Sequence, residues 1–389
     1  MTKNTTAHVG INGQLLGGVQ SYRSAGVSGA IRQLLLHLPA VAPDLQLTAF
    51  VPDVPFEASG ALAVRRSRRW NTQRPAARIL WEQLALPVLA QTQHLDLLHG
   101  AVNVGPLLAP CPTVITVHDL SFMRYPQAFP RFQRVYLRTQ VQRSVRAARR
   151  VIAVSEATKR DVVELFGVPS ERIDVVYNGV DAGFSPAAAE EIEHFRRRKG
   201  LPERYVLHLG TLEPRKNLVR LVQAFHKARE QGAVDVKLVL AGGRGWGYDD
   251  IFTEVSRLGL KQVVLFPGYV PDDELAWWYR GAEVFCYPSL LEGFGLPVAE
   301  AMACGVAVIT SNVSSLPEVA GEAALLVDPT SVEALAEALV TLLTDQASAG
   351  ALRAKGPPRA ARFSWQSTAE QTAAVYRKAL AERSHGGVL

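Results

Sequence analysis

Cysteine and methionine are scarce, with three of each in 389 residues. Cys111, Cys286 and Cys304 lie far apart in apolar surroundings, offering neither a disulfide framework nor metal-ligand spacing. They read as reduced, buried thiols, the pattern of a cytoplasmic protein. No apolar run is long enough to span a bilayer, and the first residues, MTKNTTAHVG, lack the apolar core of a signal peptide. Also missing are a Walker motif, a Ser-His-Asp arrangement, zinc spacing and an Asp-x-Asp metal motif. Nothing here calls for a bound metal or another cofactor.

Acidic residues are short in one half only. Residues 1–184 hold 20 Lys/Arg against 12 Asp/Glu, and the remainder holds 22 against 24. The excess is largely arginine, in RRSRRWNTQRPAAR and RFQRVYLRTQVQRSVRAARR. An anionic membrane face, nucleic acid or a phosphorylated acceptor suits such a surface, and an ordinary solvated face accounts for it equally. No zinc finger or RNA-recognition motif accompanies the arginines, so nucleic acid is not expected as a partner.

What is present is an alternation of short β-branched runs with longer helical patterns, the signature of parallel sheets with crossover helices. AHVGIN, LQLTAF, LDLLHG, PTVITVHD, RVIAVS and IDVVYNG read as strands. After the polar stretch DAGFSPAAAEEIEHFRRRKGLPE the pattern restarts with YVLHLG, VKLVLAGG, VVLFPGYV, AEVFCYPS, VAVITSN and ALLVDP. Helices are expected at 218–230, 273–280, 297–304 and 332–345, and a helix with a Leu137, Val141, Val145, Ala148 stripe precedes RVIAVS. The fold class is α/β, two successive doubly wound domains with a boundary near residue 185. Chemistry is then sought just after each strand, at the carboxyl ends.

Three such places carry candidates. In SLLEGFGLPVAEAMACG, Pro297 suits a first helical turn and Gly305 a helix end, which puts Glu300 in the first turn and Glu292 in the loop before it. Gly293 and Gly295 allow close backbone approach, so amides at the helix start can face an anion while the carboxylates grip hydroxyls. A helix dipole alone also favours an acid at Glu300. In LGTLEPRKNL, Asn217 suits an N-cap, and Arg215 and Lys216 stand where a helix start disfavours cations. An anion such as a diphosphate would join them; a solvated loop is the alternative. In PTVITVHDLSF, His118 and Asp119 end a strand, where a histidine can donate to a hydroxyl or phosphate and a carboxylate can orient groups or accept a proton. Weaker signals are Gly26 and Gly29 at the first helix, GGVQ at 17–20, the Gly-rich AGGRGWG, and Asn178-Gly179, which reads as a turn.

Together these motifs resemble the retaining GT-B glycosyltransferases of family 4. The segment from Glu292 to Glu300, EPRKN at 213–217, VHDLSF at 117–122, VSEATKRD at 154–161 and NGVD at 178–181 match in order along nearly the whole chain. The resemblance implies two Rossmann-like domains facing a cleft, an acceptor domain at 1–184 and a sugar-nucleotide domain at 185–365, with the helix of 366–389 crossing back onto the first. It implies that Glu300 binds the ribose, and that Glu292 holds a hydroxyl of the transferred sugar, aided by Phe294 and Gly295. Arg215 and Lys216 would neutralise the diphosphate, and His118 and Asp119 would contact the donor sugar. Main chain at Tyr269 and Val270 would read the base, and Leu296 would pack near the nucleotide. Two departures are Thr211, where many relatives have Arg, and Ser28, where a glycine is common; Gly26 is carried over as a phosphate or acceptor loop.

The resemblance also implies retention of anomeric configuration without a divalent ion. HDLSFMRYPQAFP is similar to bacterial mannosyltransferases of polysaccharide assembly, so GDP-mannose is the expected donor and a UDP-sugar the second choice. A saccharide or lipid-linked saccharide at the inner membrane face is the expected acceptor, with peripheral contact to anionic membrane. A nucleotide-sugar epimerase and a non-catalytic nucleotide-binding scaffold remain alternatives. A phosphorylase would need a pyridoxal-bearing lysine, and a glycogen synthase a Lys-x-Gly-Gly loop in place of LLGGVQ.

Overall fold

The computed structural model describes residues 6–17, 25–129, 131–232 and 235–385. The chain divides into two compact units. One runs to Gly179 and resumes at Ser364; the other is Val180–Phe363.

The first unit begins with β1 (Ala7–Asn12), α1 (Ala25–Val41), β2 (Leu45–Val51) and β3 (Leu62–Arg66). Next come α2 (Pro75–Leu80), a π-helical turn (Trp81–Ala85) and α3 (Leu86–Thr92). Then follow β4 (Leu97–Gly100), β5 (Thr113–Val117), α4 (Ser121–Arg124), α5 (Arg131–Ala147), β6 (Arg150–Ala153), α6 (Glu156–Phe166) and β7 (Ile173–Val175). The strands form one parallel sheet ordered β3-β2-β1-β4-β5-β6-β7. TVITV in β5 is buried at every position, as a strand covered by helices on both faces must be. Helix α6 starts on Ser155, whose Oγ accepts the Thr158 amide, and stops at Gly167, where φ is +64°.

The second unit holds α7 (Ala189–Lys199), β8 (Tyr205–Leu209), α8 (Leu218–Glu230), β9 (Lys237–Ala241), α9 (Asp249–Arg257), β10 (Val264–Gly268) and α10 (Leu275–Gly281). It continues with β11 (Val284–Tyr287), α11 (Leu296–Ala303), β12 (Ala307–Ser311), α12 (Leu316–Ala320), β13 (Leu325–Val327), α13 (Val332–Thr344) and α14 (Gln346–Ala360). Its parallel sheet is ordered β10-β9-β8-β11-β12-β13. Val206, Leu238, Val284 and Ile309 from the strands pack with Leu221, Phe225 and Leu339 from the helices in a fully buried core. Truncating one such leucine to alanine costs about 2–5 kcal/mol.

Helix α15 (Trp365–His385) returns to the first unit, where Ala369, Ala373 and Tyr376 join the core of β1 and α1. Tyr376 meets the buried His99 Nδ1 at 2.7 Å.

Two elements went unread in the sequence and one reading is corrected. LAVRR forms the edge strand β3, although three of its five residues carry exposed or charged side chains that broke the apolar pattern. The polar stretch after Asp181 contains α7, anchored by Phe195 stacked on Trp277 at 6.0 Å. Asn178-Gly179 makes no turn. A Cβ on Gly179 would fall 2.1 Å from the Trp365 backbone nitrogen, so glycine lets two chain segments pass in contact.

Candidate active site

In each sheet the strand order reverses direction once, between β1 and β4 in the first unit and between β8 and β11 in the second. Ligands of doubly wound folds bind outside the carboxyl ends at such a switch point. After β8 the chain makes a 3₁₀ turn over Pro214–Lys216, and after β11 it runs through Ser289 to Glu292. The topology thus brings together charges 76 positions apart.

Glu292 is the hub. Its Oε1 accepts from Lys216 Nζ at 2.6 Å, Ser289 Oγ at 2.6 Å and Tyr287 OH at 3.1 Å. Its Oε2 lies 3.0 Å from Arg215. Burial raises the Glu292 carboxyl, but the Arg215 and Lys216 charges more than offset that and hold it at about 2. Lys216 is buried, also donates to Tyr287 OH at 2.6 Å, and has its pKa lowered by burial and by Arg215. Arg215 forks onto Glu213 and donates to the Leu291 carbonyl. The two cations were expected to await an anion; in the structure Glu213 and Glu292 already supply one.

Asn217 holds the N-cap position of α8 but does not cap with its side chain. Its φ is +62°, and its amide donates to the carbonyls of Pro288 and Pro329. Those bonds tie the β8 turn to the loops after β11 and β13, so the asparagine side chain positions the charged pair rather than capping the helix.

Glu300 lies in the second turn of α11, because the helix begins at Leu296 and has no acid in its first turn. The dipole account of this glutamate is correspondingly weaker. Its Oε2 accepts from Tyr279 OH at 2.9 Å. Burial raises its pKa to about 7; the Tyr279 bond opposes this, and Asp272 and Asp181 add to it. The two glutamates of one short segment therefore differ sharply, one fixed as an anion by cations and one poised between charge states.

The loop joining them is tightly held. Ser314 Oγ and Ser315 Oγ donate to the Glu292 carbonyl, Ser315 Oγ also to that of Phe294, and the Glu292 amide donates to Ser314 Oγ. Gly295 takes φ +102° directly before Leu296, a conformation that favours glycine, and Phe294 packs edge-on against Phe363 at 5.3 Å. Gly293 and Leu296 are half-buried on either side. At the carboxyl end of β10, Tyr269 is exposed and Val270 buried. Nearby, the Gly-rich run after β9 serves packing, since a Cβ on Gly242 would fall 1.9 Å from the Gly210 carbonyl oxygen.

In the first unit, His118 and Asp119 follow β5. His118 Nε2 lies 3.0 Å from the Ala101 carbonyl, which can only accept, so this nitrogen carries the proton. Burial keeps the imidazole pKa below its ordinary value. The neutral ring therefore presents Nδ1 as an acceptor, whereas the sequence suggested a donor. Asp119 Oδ1 accepts from the Ser121 amide and hydroxyl, and a cavity of about 30 Å³ lies beside His118, Thr116, Asn178 and Trp365. Gly26 and Gly29 lie on α1 with open space where a Cβ would stand. Ser28 Oγ accepts the Gly17 amide at 2.7 Å; Gly18 to Gln20 lie outside the described residues.

The structure thus joins Arg215, Lys216 and Glu292 directly and places Gly293 to Leu296 and Glu300 on the adjoining loop and helix. Tyr279, Tyr287, Ser289 and the Ser314-Ser315 pair are further members that sequence reasoning passed over. Tyr287 and Ser289 flank the end of a strand, so the carboxyl-end rule could have found them. Ser314 and Ser315 follow the end of β12, so the same rule could have found them; Tyr279, within α10, carries no such signal.

Residues 25–184 match the family described as Glycosyltransferase Family 4, and residues 189–359 match Glycosyl transferases group 1. The chain belongs to this glycosyltransferase family. The O-antigen chain mannosyltransferase B of Escherichia coli is 35% identical over 265 residues, covering 68% of this chain and 70% of that protein. The serotype-specific mannosyltransferase WbdA of E. coli is 31% identical over 67% of this chain, which spans only 32% of that relative's length. Among solved structures, sucrose-phosphate synthase from Thermosynechococcus elongatus superposes with a TM-score of 0.79 over 97% of this chain and all of the other, at 24% identity. HepE of Anabaena, in complex with UDP and glucose, gives 0.73 over 96% of this chain and all of the other, at 21%. This glycosyltransferase therefore has the GT-B fold. Among its described residues no helix is long and apolar enough to cross a membrane.

Proposed function

We propose that this glycosyltransferase moves mannose from GDP-mannose to a saccharide or lipid-linked saccharide acceptor, with retention of anomeric configuration and without a divalent ion. The observation that carries the reading is the paired cation site, Arg215 and Lys216 converging on Glu292 beside the start of α11. Two cations next to helix amides suit a departing diphosphate, whose charge grows as the glycosidic bond breaks. In this reading Glu300 accepts from the ribose hydroxyls, Glu292 from a hydroxyl of the sugar, and the backbone at Tyr269 and Val270 meets the base. His118 and Asp119 are assigned to the donor sugar near its reacting carbon, and Gly26 to a phosphate or acceptor loop. The first unit is the acceptor domain in this reading and the second the donor domain.

For the chemistry, the acceptor oxygen bonds to the anomeric carbon on the face from which the diphosphate leaves, and the acceptor proton passes to the departing phosphate oxygen. Asp119 acting as a nucleophile is the competing route, and a trapped glycosyl adduct on Asp119 would establish it. Mannose is favoured because the relatives named O-antigen chain mannosyltransferase B and MMP alpha-(1->4)-mannosyltransferase, the latter from Mycolicibacterium hassiacum, are 35% and 34% identical to this chain. The chain spans 57% of the second of these. A UDP-sugar is the second reading, supported by UDP in the HepE complex. The basic first unit suits work in the cytoplasm against the inner membrane face, where lipid-linked acceptors lie.

The test is thermal-shift and calorimetric titration with a panel of sugar nucleotides, followed by the anomeric configuration of the product by NMR. GDP-mannose should give the largest shift. A larger shift with a UDP-sugar would replace the donor, and an inverted product would remove the same-face mechanism.

A further inference from the structure

Helices α2 and α3 and the π-turn between them are apolar on two sides. Trp81, Leu86 and Ala90 are buried in the first unit's core, with Trp81 against Phe50 at 6.3 Å. Leu80, Leu84 and Val88, four residues apart in turn, are 52%, 61% and 57% exposed. A solvent face would ordinarily carry polar residues here. The stripe has apolar neighbours. Gln83 bonds the Gly105 carbonyl and the Leu107 amide, which sets the 85% exposed Leu108 beside it. Ser144 of α5 bonds Gly105 in turn, and near the start of α5 Phe132 and Val135 are 83% and 60% exposed. Tyr136, between these two and Ser144, lies within electrostatic reach of Glu82 and Arg78.

The segments that form this surface carry exposed charge of one sign, although Arg68 lies 3.9 Å from Asp53 outside them. Residues 62–92 contain Arg65, Arg66, Arg68, Arg69, Arg74 and Arg78, and their single acid, Glu82, is buried. Helix α5 carries five arginines and no acid. An apolar strip fringed by exposed arginine is complementary to an anionic bilayer interface, which offers acyl chains behind negative headgroups. A second copy of this chain fits less well, because two-fold pairing through this face would set arginine against arginine.

We infer that the face formed by α2, the π-turn, α3, the loop at Leu108 and the start of α5 docks on an anionic phospholipid surface, with Leu80, Leu84, Val88, Leu108, Phe132 and Val135 entering the headgroup boundary. This deepens the proposed function, since it rests on the reading that the acceptor is lipid-linked. It adds that apolar insertion, beyond the charge of the basic half, holds the protein there.

Cosedimentation of the full chain with phosphatidylglycerol-containing vesicles and with phosphatidylcholine vesicles, at low and at about 0.5 M salt, tests this. The wild type should bind the anionic vesicles and keep part of that binding at high salt. Leu80→Ser with Leu84→Ser and Val88→Ser should lower the partition coefficient at least about tenfold and remove the salt-resistant part. Phe132→Ser with Val135→Ser should act in the same direction, and Arg131→Gln with Arg134→Gln and Arg138→Gln should lower the salt-sensitive part. Absence of wild-type binding at low salt overturns the inference, as does a serine variant that binds like wild type. Concentration-dependent dimerisation without lipid, lost in the serine variants, overturns it in favour of a second copy. Nucleotide affinity measured on the same samples separates the two readings. Vesicle binding without nucleotide binding removes the proposed function and leaves the docking face, and the reverse removes only the docking face.

Discussion

Lys216 Nζ and Glu292 Oε1 lie 2.6 Å apart, with side-chain exposures of 8% and 11%. With Glu213 and Arg215 they form a group of two acids and two bases whose formal charges cancel. A diphosphate brings further negative charge to this group. On the proposed function, Arg215 and Lys216 meet it by loosening Glu292, whose carboxylate then turns to a hydroxyl of the sugar. Glu292 would thus hold the place of the leaving group until the donor arrives, and its charge offsets that of two enclosed cations.

The raised pKa of Glu300 predicts a pH-dependent donor affinity. Its carboxyl titrates at about 7 in the fold against 4.5 ordinarily. Only the ionised form accepts from both ribose hydroxyls, so affinity for GDP should rise as pH increases through about 7. Glu300→Gln should flatten that profile and weaken binding by about tenfold at pH 8. Stability runs the other way. A carboxyl that holds its proton more tightly when folded contributes stability fully below the unfolded pKa of 4.5 and loses it as pH rises through 7. The unliganded variant should therefore be more stable than wild type at pH 8, by at most about 3 kcal/mol. Calorimetry and thermal melts across pH 5 to 8 check both signs; a pH-independent wild-type affinity would contradict the assignment.

His118 should be mainly neutral at pH 7 and above. Burial lowers its pKa, and the bond to the Ala101 carbonyl fixes the proton on Nε2. An NMR titration should show this ring titrating below its ordinary midpoint of 6.5. His118→Ala should cut kcat/KM by about two- to tenfold, the worth of one lost neutral hydrogen bond to the sugar. GDP affinity should be unchanged, because the residue is assigned to the sugar and not to the nucleotide. An equal loss of GDP affinity would move His118 to the phosphates.

Much of this molecule was legible in the sequence because parallel strands buried on both faces leave continuous β-branched runs. TVITV, YVLHL and AVITS stood out for that reason. The edge strand LAVRR did not, since its charged residues need no apolar partner. Among the candidates, Glu292 and Glu300 stood out as charge beside a glycine turn, and Arg215 and Lys216 as cations at a helix start. Their pairing was invisible, because it depends on β8 and β11 being neighbours across a crossover, which no local pattern records. Asn217 misled for a related reason: an asparagine before a helix reads as a cap, while here its partners lie 71 and 112 residues away.

Gly179→Ala should uncouple the returning helix α15 from the first unit. The added methyl would fall 2.1 Å from the Trp365 nitrogen and 2.5 Å from the Ser364 carbonyl carbon, both backbone atoms that cannot swing aside. The neighbouring bond from Thr368 Oγ1 to the Tyr177 carbonyl, 2.7 Å long, should be lost with the displacement. A destabilisation of about 3 kcal/mol or more is expected, the upper part of the range for overpacking. Denaturant melts measure the size, and limited proteolysis should release a fragment ending before Trp365. A variant as stable and as protease-resistant as wild type would show that the chain segments part easily there.

Glu292→Gln tests the exchange of anions at the centre of the site. The substitution keeps the shape but leaves Lys216 and Arg215 without their shared carboxylate, at a cost of about 3–5 kcal/mol. Glu292 titrates at about 2 when folded against 4.5 ordinarily, so its contribution is present above pH 4.5 and lost as pH falls toward 2. At neutral pH the variant should therefore melt well below wild type, and the gap should close in acid. GDP should narrow the gap at neutral pH as well, because the diphosphate supplies the charge that the variant lacks. The rise in Tm on adding saturating GDP should then be larger for Glu292→Gln than for wild type, although the variant transfers little sugar. An equal or smaller rise would mean that the diphosphate does not meet Arg215 and Lys216.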